Sequence, residues 1–189
     1  MDRKKMQNPF LIGERLYLRP LEPEQDSASI TLWHNLEEMR RYFNVYPANE
    51  ARYKARDYYR DFQQILLGVA IQGEAEIIGI VGLKDINLLN QSAEFYIKID
   101  PAAQGKGYGT EATTLMLSYG FLELNLNRIQ TQDMEENIGG WRTDEKAGFQ
   151  LEGVLREAIQ RFGRPQNIRI YSLLRREFLE RLAAKEANE

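Results

Sequence analysis

Gly105, Gly107 and Gly109 alternate inside the run Asp100-Pro101-Ala102-Ala103-Gln104-Gly105-Lys106-Gly107-Tyr108-Gly109-Thr110-Glu111-Ala112. Glycine lets backbone approach a ligand closely and take angles that other residues avoid. Consecutive N–H groups at a helix start form an anion site. An apolar strand pattern precedes the run and a long amphipathic helix pattern follows it, so the spacing points to a grip on a diphosphate. Two common diphosphate motifs do not fit. A Walker loop needs a glycine where Asp100 stands and Ser or Thr where Gly107 stands. A dinucleotide fingerprint needs a glycine where Thr110 stands, inside a parallel strand–helix–strand unit.

Composition narrows the remaining chemistry. The chain has 189 residues, 43% apolar and 28% charged, which suits one globular domain with a real core. Its net charge of −3 is a poor match for a nucleic-acid backbone. Cysteine is absent, which excludes disulfides, thiolate metal sites and a cysteine nucleophile. His34 is the only histidine, so a multi-histidine metal site is excluded and no metal is expected. It falls in a helical segment beside Trp33 and reads as structural or solvated. The first residues carry no signal-peptide pattern, and no membrane span is expected. The default compartment is the cytoplasm.

The elements that must position the glycine run follow from periodicity. Residues 1–13 read as a lead-in. Glu14 to Leu21 alternates, with Leu16 and Leu18 on one face and Arg15, Tyr17 and Arg19 on the other. Pro23-Glu24-Gln25-Asp26 opens a helix, and Glu37 to Phe43 forms a second. A third is expected over 49–64, where Tyr53, Tyr58, Tyr59 and Phe62 are read as packing residues. Strands are expected at Ile65 to Ile71, Glu76 to Ile86 and Ser92 to Ile99, joined by short turns as an antiparallel meander. Gly79 and Gly82 inside the second mark a bulge or a close backbone contact. After the glycine run, Ala112, Leu115, Met116, Tyr119 and Leu122 fall at helical spacing. Asn127 to Asp133 is a strand, and Asn137 to Lys146 is a helix closed by Gly148. Two strands, Phe149 to Phe162 and Asn167 to Arg175, precede a last helix that frays into a charged tail over 184–189.

An antiparallel meander feeding Gln104-x-x-Gly107-x-Gly109 at a helix start resembles the GCN5-related N-acetyltransferase (GNAT) superfamily, in its ribosomal-protein and spermidine acetyltransferase branch. The resemblance begins at Glu14-Arg15-Leu16-Tyr17-Leu18-Arg19-Pro20 and runs through Ala93-Glu94-Phe95 and the glycine run. It closes with Asn137, Glu145-Lys146-Ala147-Gly148-Phe149 and Glu152-Gly153, covering nearly all of the chain. It implies an α+β fold of α/β/α layers in one domain over 1–189. The central sheet would be mixed, mostly antiparallel, with about seven strands, and splayed at the cofactor site.

The same resemblance implies acetyl-CoA as cosubstrate and the residues that would hold it. The pantetheine arm would pair with backbone groups of Ile97 and Ile99 in the gap between two parallel strands, the first often bulged. Gln104, Gly105, Lys106, Gly107, Tyr108, Gly109 and Thr110 would cradle the pyrophosphate, with Lys106 adding positive charge. Asn137 would hydrogen-bond the arm near the thioester. Glu94 would take the proton of the attacking amine, or orient a cationic substrate. Glu111 reads as a first-turn residue that complements the helix dipole.

One position departs from the family pattern. The tyrosine that commonly protonates the leaving thiolate stands seven residues after the asparagine and five before the phenylalanine, and here that residue is Asp144. An ionised aspartate repels a thiolate, so Asp144 serves as acid only if burial keeps it protonated. Asp144 reads as a solvated helix residue, and the neighbouring Thr143 offers a hydroxyl whose direction the sequence does not give. The departure leaves two functions open: an N-acetyltransferase acting on a protein N-terminus or a small amine such as a polyamine, or a catalytically weak CoA-binding sensor. Unless paired with acids, Arg161 and Arg164 near the last turn disfavour a polycation and tilt the expectation slightly toward a protein N-terminus or another amine. A homodimer is expected by analogy with the family alone.

Overall fold

The structure is a computed structural model; it describes residues 6–42, 47–48 and 63–187. The helix expected over 49–64, with its tyrosines, lies outside the described residues except for Gln63 and Gln64, which are not helical.

Eight strands form one sheet in the order β1-β2-β3-β4-β5-β6-β8-β7. They are β1 (Leu11–Ile12), β2 (Leu16–Pro20), β3 (Ile65–Ile71), β4 (Ile77–Asn87), β5 (Ser92–Ile99), β6 (Arg128–Met134), β7 (Gln150–Arg161) and β8 (Arg164–Leu174). The helices are α1 (Pro23–Asn35), α2 (Glu37–Tyr42), α3 (Tyr108–Ser118), α4 (Ile138–Ala147) and α5 (Arg175–Glu186). The mixed α+β architecture is therefore as expected. The eighth strand is β1, a two-residue pair that the lead-in makes with β2 through Leu11 and Leu18, and Ile12 and Tyr17. All neighbours are antiparallel except β5 and β6.

One face of the sheet packs against α3 and α5 through Leu18, Val81, Phe95, Met116, Phe121, Leu173 and Phe178. The other face, over β3 and β4, packs against α1 and α2 through Ile30, Trp33, Met39, Ile77 and Ile80. The face of β2 that carries Tyr17 and Arg19 is covered as well as the face of Leu16 and Leu18. Tyr17 and Arg19 are both fully buried. Arg19 forms a bidentate pair with the buried Asp26 of α1 (Nη1–Oδ2 and Nη2–Oδ1, each 2.8 Å), and its Nη2 also donates to Ala75 O. Removing either partner leaves an uncompensated buried charge, at a cost of ~3–5 kcal/mol.

The helix after the glycine run differs from a regular one. It continues past Ser118 through a wider turn, in which Leu124 N–H donates to Tyr119 O five residues back. The extra residue shifts the helical phase. The buried positions run Ala112, Thr113, Met116, Leu117, Gly120 and Phe121, so Phe121 faces the core and Leu122, expected on the inward stripe, is 43% exposed.

Candidate active site

β5 and β6 pair for three residues only, Ser92 with Arg128, Ala93 with Ile129 and Glu94 with Gln130. Beyond Glu94 and Gln130 no further β5–β6 pairing is made, which opens a gap. Asp100 N–H bonds to Ile78 O on the β4 side. Backbone groups alternate along a strand, so those of Ile97 and Ile99 face the gap. The expected bulge is not in β5, which pairs with β4 in one register from Glu94 to Ile99. The register shift falls in β4 between Lys84 and Asn87, where Asp85 has φ 51°.

The glycine run closes one end of the gap. Gln104 Nε2 donates to Ile99 O at 2.9 Å and ties the turn to β5. Gly107 caps α3 at φ 81°, a left-handed conformation that a side chain strains. Within α3 the N–H of Glu111 reaches back to Gly107 O at 3.2 Å. The N–H groups of Tyr108, Gly109 and Thr110 precede that bond and have no carbonyl within the helix to accept them. A Cβ on Gly105 would meet nothing within 4 Å, so the outer side of the turn is open. Lys106 is exposed, with Nζ 3.3 Å from Ala102 O. Open glycine backbone and orphan donors at a helix start fit a diphosphate.

Glu94 stands where the strands part. Its Oε1 is 2.8 Å from Lys84 Nζ, opposite it on β4, and its Oε2 accepts from Gln132 Nε2 at 3.4 Å. Beyond β6, Asn137 caps α4: its Oδ1 accepts from Gly140 N–H at 3.3 Å and its Nδ2 donates to Asp133 Oδ1 at 3.0 Å. Gly140 is required there, since a Cβ would collide with both Asn137 Nδ2 and Asp133 Oδ1.

Asp144 is not solvated; it is 3% exposed. Burial first, then a hydrogen bond to Asp133 and the negative field of Asp133 and Glu145, pushes its pKa up to about 10. Asp133 is also raised, by burial, against the opposing hydrogen bonds of Asp144 and Asn137. Burial and the neighbouring carboxyl thus favour the protonated form of Asp144, which is hydrogen-bonded to Asp133. Thr143 bonds back to Gly139 O at 2.8 Å, with its methyl 3.8 Å from where a Gly109 Cβ would lie.

Residues 15–150 match the family model of the acetyltransferase (GNAT) domain. The chain belongs to the GNAT acetyltransferases. Over 179 residues it is 31% identical to an uncharacterized N-acetyltransferase, p20, of Bacillus licheniformis, covering 89% of this chain and 97% of that one. Over 140 residues it is 35% identical to the spermidine N(1)-acetyltransferase of Escherichia coli K12, covering 73% and 74%. The crystal structure of spermidine N-acetyltransferase from Vibrio cholerae in complex with CoA and spermine superposes with a TM-score of 0.81 at 30% identity, covering 88% and 99%. The protein is thus an N-acetyltransferase of a family that uses acetyl-CoA.

In this GNAT fold the expected site residues fall into two groups. Ile97, Ile99 and Gln104 to Thr110 lie along β5 and the turn that follows it, Glu94 stands where β5 and β6 part, and Asn137 and Asp144 lie on α4 beyond β6, joined to Asp133. The sequence reading missed their supports. Lys84 is placed by the β4–β5 register, Asp133 precedes Asn137 by one turn, and Arg15 comes from the far side of the sheet. Lys84 and Asp133 had a signal in strand pairing and spacing. Arg15 stood within the quoted Glu14–Pro20 motif and was read only as part of a strand. Among the described residues no helix is long and apolar enough to cross a membrane.

Proposed function

We propose that the protein transfers acetyl from acetyl-CoA to the primary amine of a protein N-terminus or of a small molecule such as a polyamine. The observation that carries the reading is the three-residue pairing of β5 and β6, which ends at Glu94 with the glycine turn at the foot of the gap. Acetyl-CoA, when bound, supplies a thioester carbonyl for attack and a thiol leaving group.

Ile97 and Ile99 offer backbone donors and acceptors to an extended arm, as an added strand does. The N–H groups of Gly107 to Thr110, with Lys106, take the pyrophosphate charge. Glu94 accepts a hydrogen bond from the acceptor amine and takes its proton as the nitrogen attacks. Asp144 carries a proton at neutral pH with a pKa of about 10, close to that of an ordinary tyrosine. It replaces the family's usual phenol and gives that proton to the departing sulfur. The sensor reading rests on the missing tyrosine, and a protonated Asp144 weighs against it.

The dimer expected by analogy has a candidate face in the edge strand β7, where Leu151, Val154 and Leu155 are exposed. The test of the function is a thiol-release assay with acetyl-CoA and a panel of spermidine, other small amines and peptides with free N-termini, beside calorimetric CoA binding. We expect release that depends on the amine and ranks the acceptors. Tight CoA binding with no release on any acceptor overturns the transferase reading in favour of a sensor.

A further inference from the structure

Arg15 lies just before β2, on a segment far in sequence from the glycine turn, yet its guanidinium reaches into that turn. Its Nη1 donates to Lys106 O at 3.0 Å and its Nε to Glu111 Oε2 at 2.9 Å. Its Nη2 lies 3.2 Å from where a Gly107 Cβ would be, and its Cζ is 5.1 Å from the Tyr108 ring centroid. Glu111 in turn holds the arginine. Its Oε1 accepts from Arg15 N–H at 2.8 Å and from Leu16 N–H at 3.1 Å. Burial opposes the charge of Glu111, but the N–H groups of Arg15 and Leu16 and the Arg15 guanidinium outweigh it and hold the carboxyl below its usual range. Glu111 is thus more than a dipole complement; it is the anchor of Arg15.

The geometry of one peptide unit gives this clamp a role. In a planar trans peptide the C=O and the following N–H point in opposite directions. Arg15 fixes the Lys106 carbonyl on its own side, so the Gly107 N–H is turned to the opposite side. There it joins the orphan N–H groups of Tyr108, Gly109 and Thr110. A turn with glycine on both sides of Lys106 has other conformations open to it, and the guanidinium selects one. We propose that Arg15, anchored by Glu111, is a positioning residue for cofactor binding: it orients the Lys106–Gly107 peptide so that the anion cradle is assembled before the pyrophosphate arrives. This rests on the acetyl-CoA reading above.

The test compares Arg15→Ala, Arg15→Lys and Glu111→Gln with the parent protein. Dissociation constants are measured by calorimetry for CoA and dephospho-CoA, and kinetics are measured with acetyl-CoA and with acetyl-pantetheine, which has no phosphates. Loss of a charge-assisted bond that organises the cradle weakens CoA by about 10- to 100-fold. The same loss is expected for dephospho-CoA, which keeps the pyrophosphate. The kcat at saturating acetyl-CoA and the kcat/KM for acetyl-pantetheine are expected to stay at parental values. Lysine keeps the charge but cannot bridge Lys106 O and Glu111 together, so Arg15→Lys is expected to behave like Arg15→Ala. Should the alanine variant fail to fold, the lysine variant carries the test. Unchanged CoA affinity overturns the proposal. So does full rescue by lysine, which marks plain attraction, and so does an equal loss with acetyl-pantetheine, which marks general scaffolding. A penalty seen with CoA and absent with dephospho-CoA also overturns it, by moving the effect to the 3′-phosphate. Failure of the parent protein to bind CoA sinks the functional reading instead.

Discussion

Glu94 and Asp144 stand on β5 and on α4 in opposite company. Glu94 meets an ammonium, Lys84 Nζ at 2.8 Å, and its side chain is 15% exposed. Asp144 meets another carboxyl, Asp133, and is nearly sealed from water. In the proposed mechanism the same functional group serves as proton acceptor on the β5 side and as proton donor on the α4 side. Environments that separate two like groups are how a fold obtains both an acid and a base at one pH. On that proposal the tyrosine is dispensable because burial beside a second carboxyl raises Asp144 to about 10, the range of a phenol.

The largest expected effect breaks the α4 side. Asp144→Asn keeps the shape and a donor toward Asp133 but has no proton to give. Turnover is expected to fall about 10²- to 10⁴-fold, the usual worth of a general acid, with CoA affinity unchanged. The parent protein should also lose kcat as pH rises through about 10, where Asp144 ionises, and the variant should lack that limb. Equal turnover in variant and parent removes Asp144 from the mechanism.

The two sides were unequally legible in the sequence. The glycine turn and the Gly148 stop announce themselves through local rules, and both stand where those rules put them; Asn137, expected only to meet the cofactor arm, is the cap of α4. Glu94 sits on a strand whose alternation is plain. Asp144 was misjudged because its helix packs against both α3 and β6, and a charged residue on a short helix reads as solvated when only its own helix is considered. Arg19 shows the same limit, since alternation gives its face but not its cover, which is Asp26 of α1. The turn at Tyr119 was invisible because a helical periodicity assumes one hydrogen-bond pattern throughout. Local chemistry was readable and burial imposed by a distant layer was not.

A middle-sized effect concerns stability. In the unfolded chain Asp144 has an ordinary low pKa, and in the fold it is raised to about 10. Between those values the folded state binds more protons. This contribution is therefore fully present below the unfolded pKa and is lost as pH rises toward the folded one. Asp144→Asn removes the titration. Its melting temperature should exceed the parent's at pH 8 by about 2–4 °C for each kcal/mol recovered, and the difference should shrink toward pH 4. A difference that does not change with pH shows that Asp144 is not held protonated.

The smallest effect tests the β5 side. Lys84 is 43% exposed at its side chain, so its pair with Glu94 is screened and worth ~1 kcal/mol or less. A cationic acceptor must compete with that ammonium for the same carboxylate. Lys84→Met removes the competitor and keeps the aliphatic stem against β5. The KM for a cationic amine should therefore fall by about fivefold or less, with kcat little changed, and the gain should fade as salt is raised. The KM for acetyl-CoA should not move, because the glycine turn lies at the other end of β5. If the amine KM is unchanged at low salt, Glu94 does not meet the acceptor's charge, and the proton must leave by another route. If KM rises instead, Lys84 holds Glu94 in place for the acceptor, and the pair acts as a unit in which the cation positions its partner.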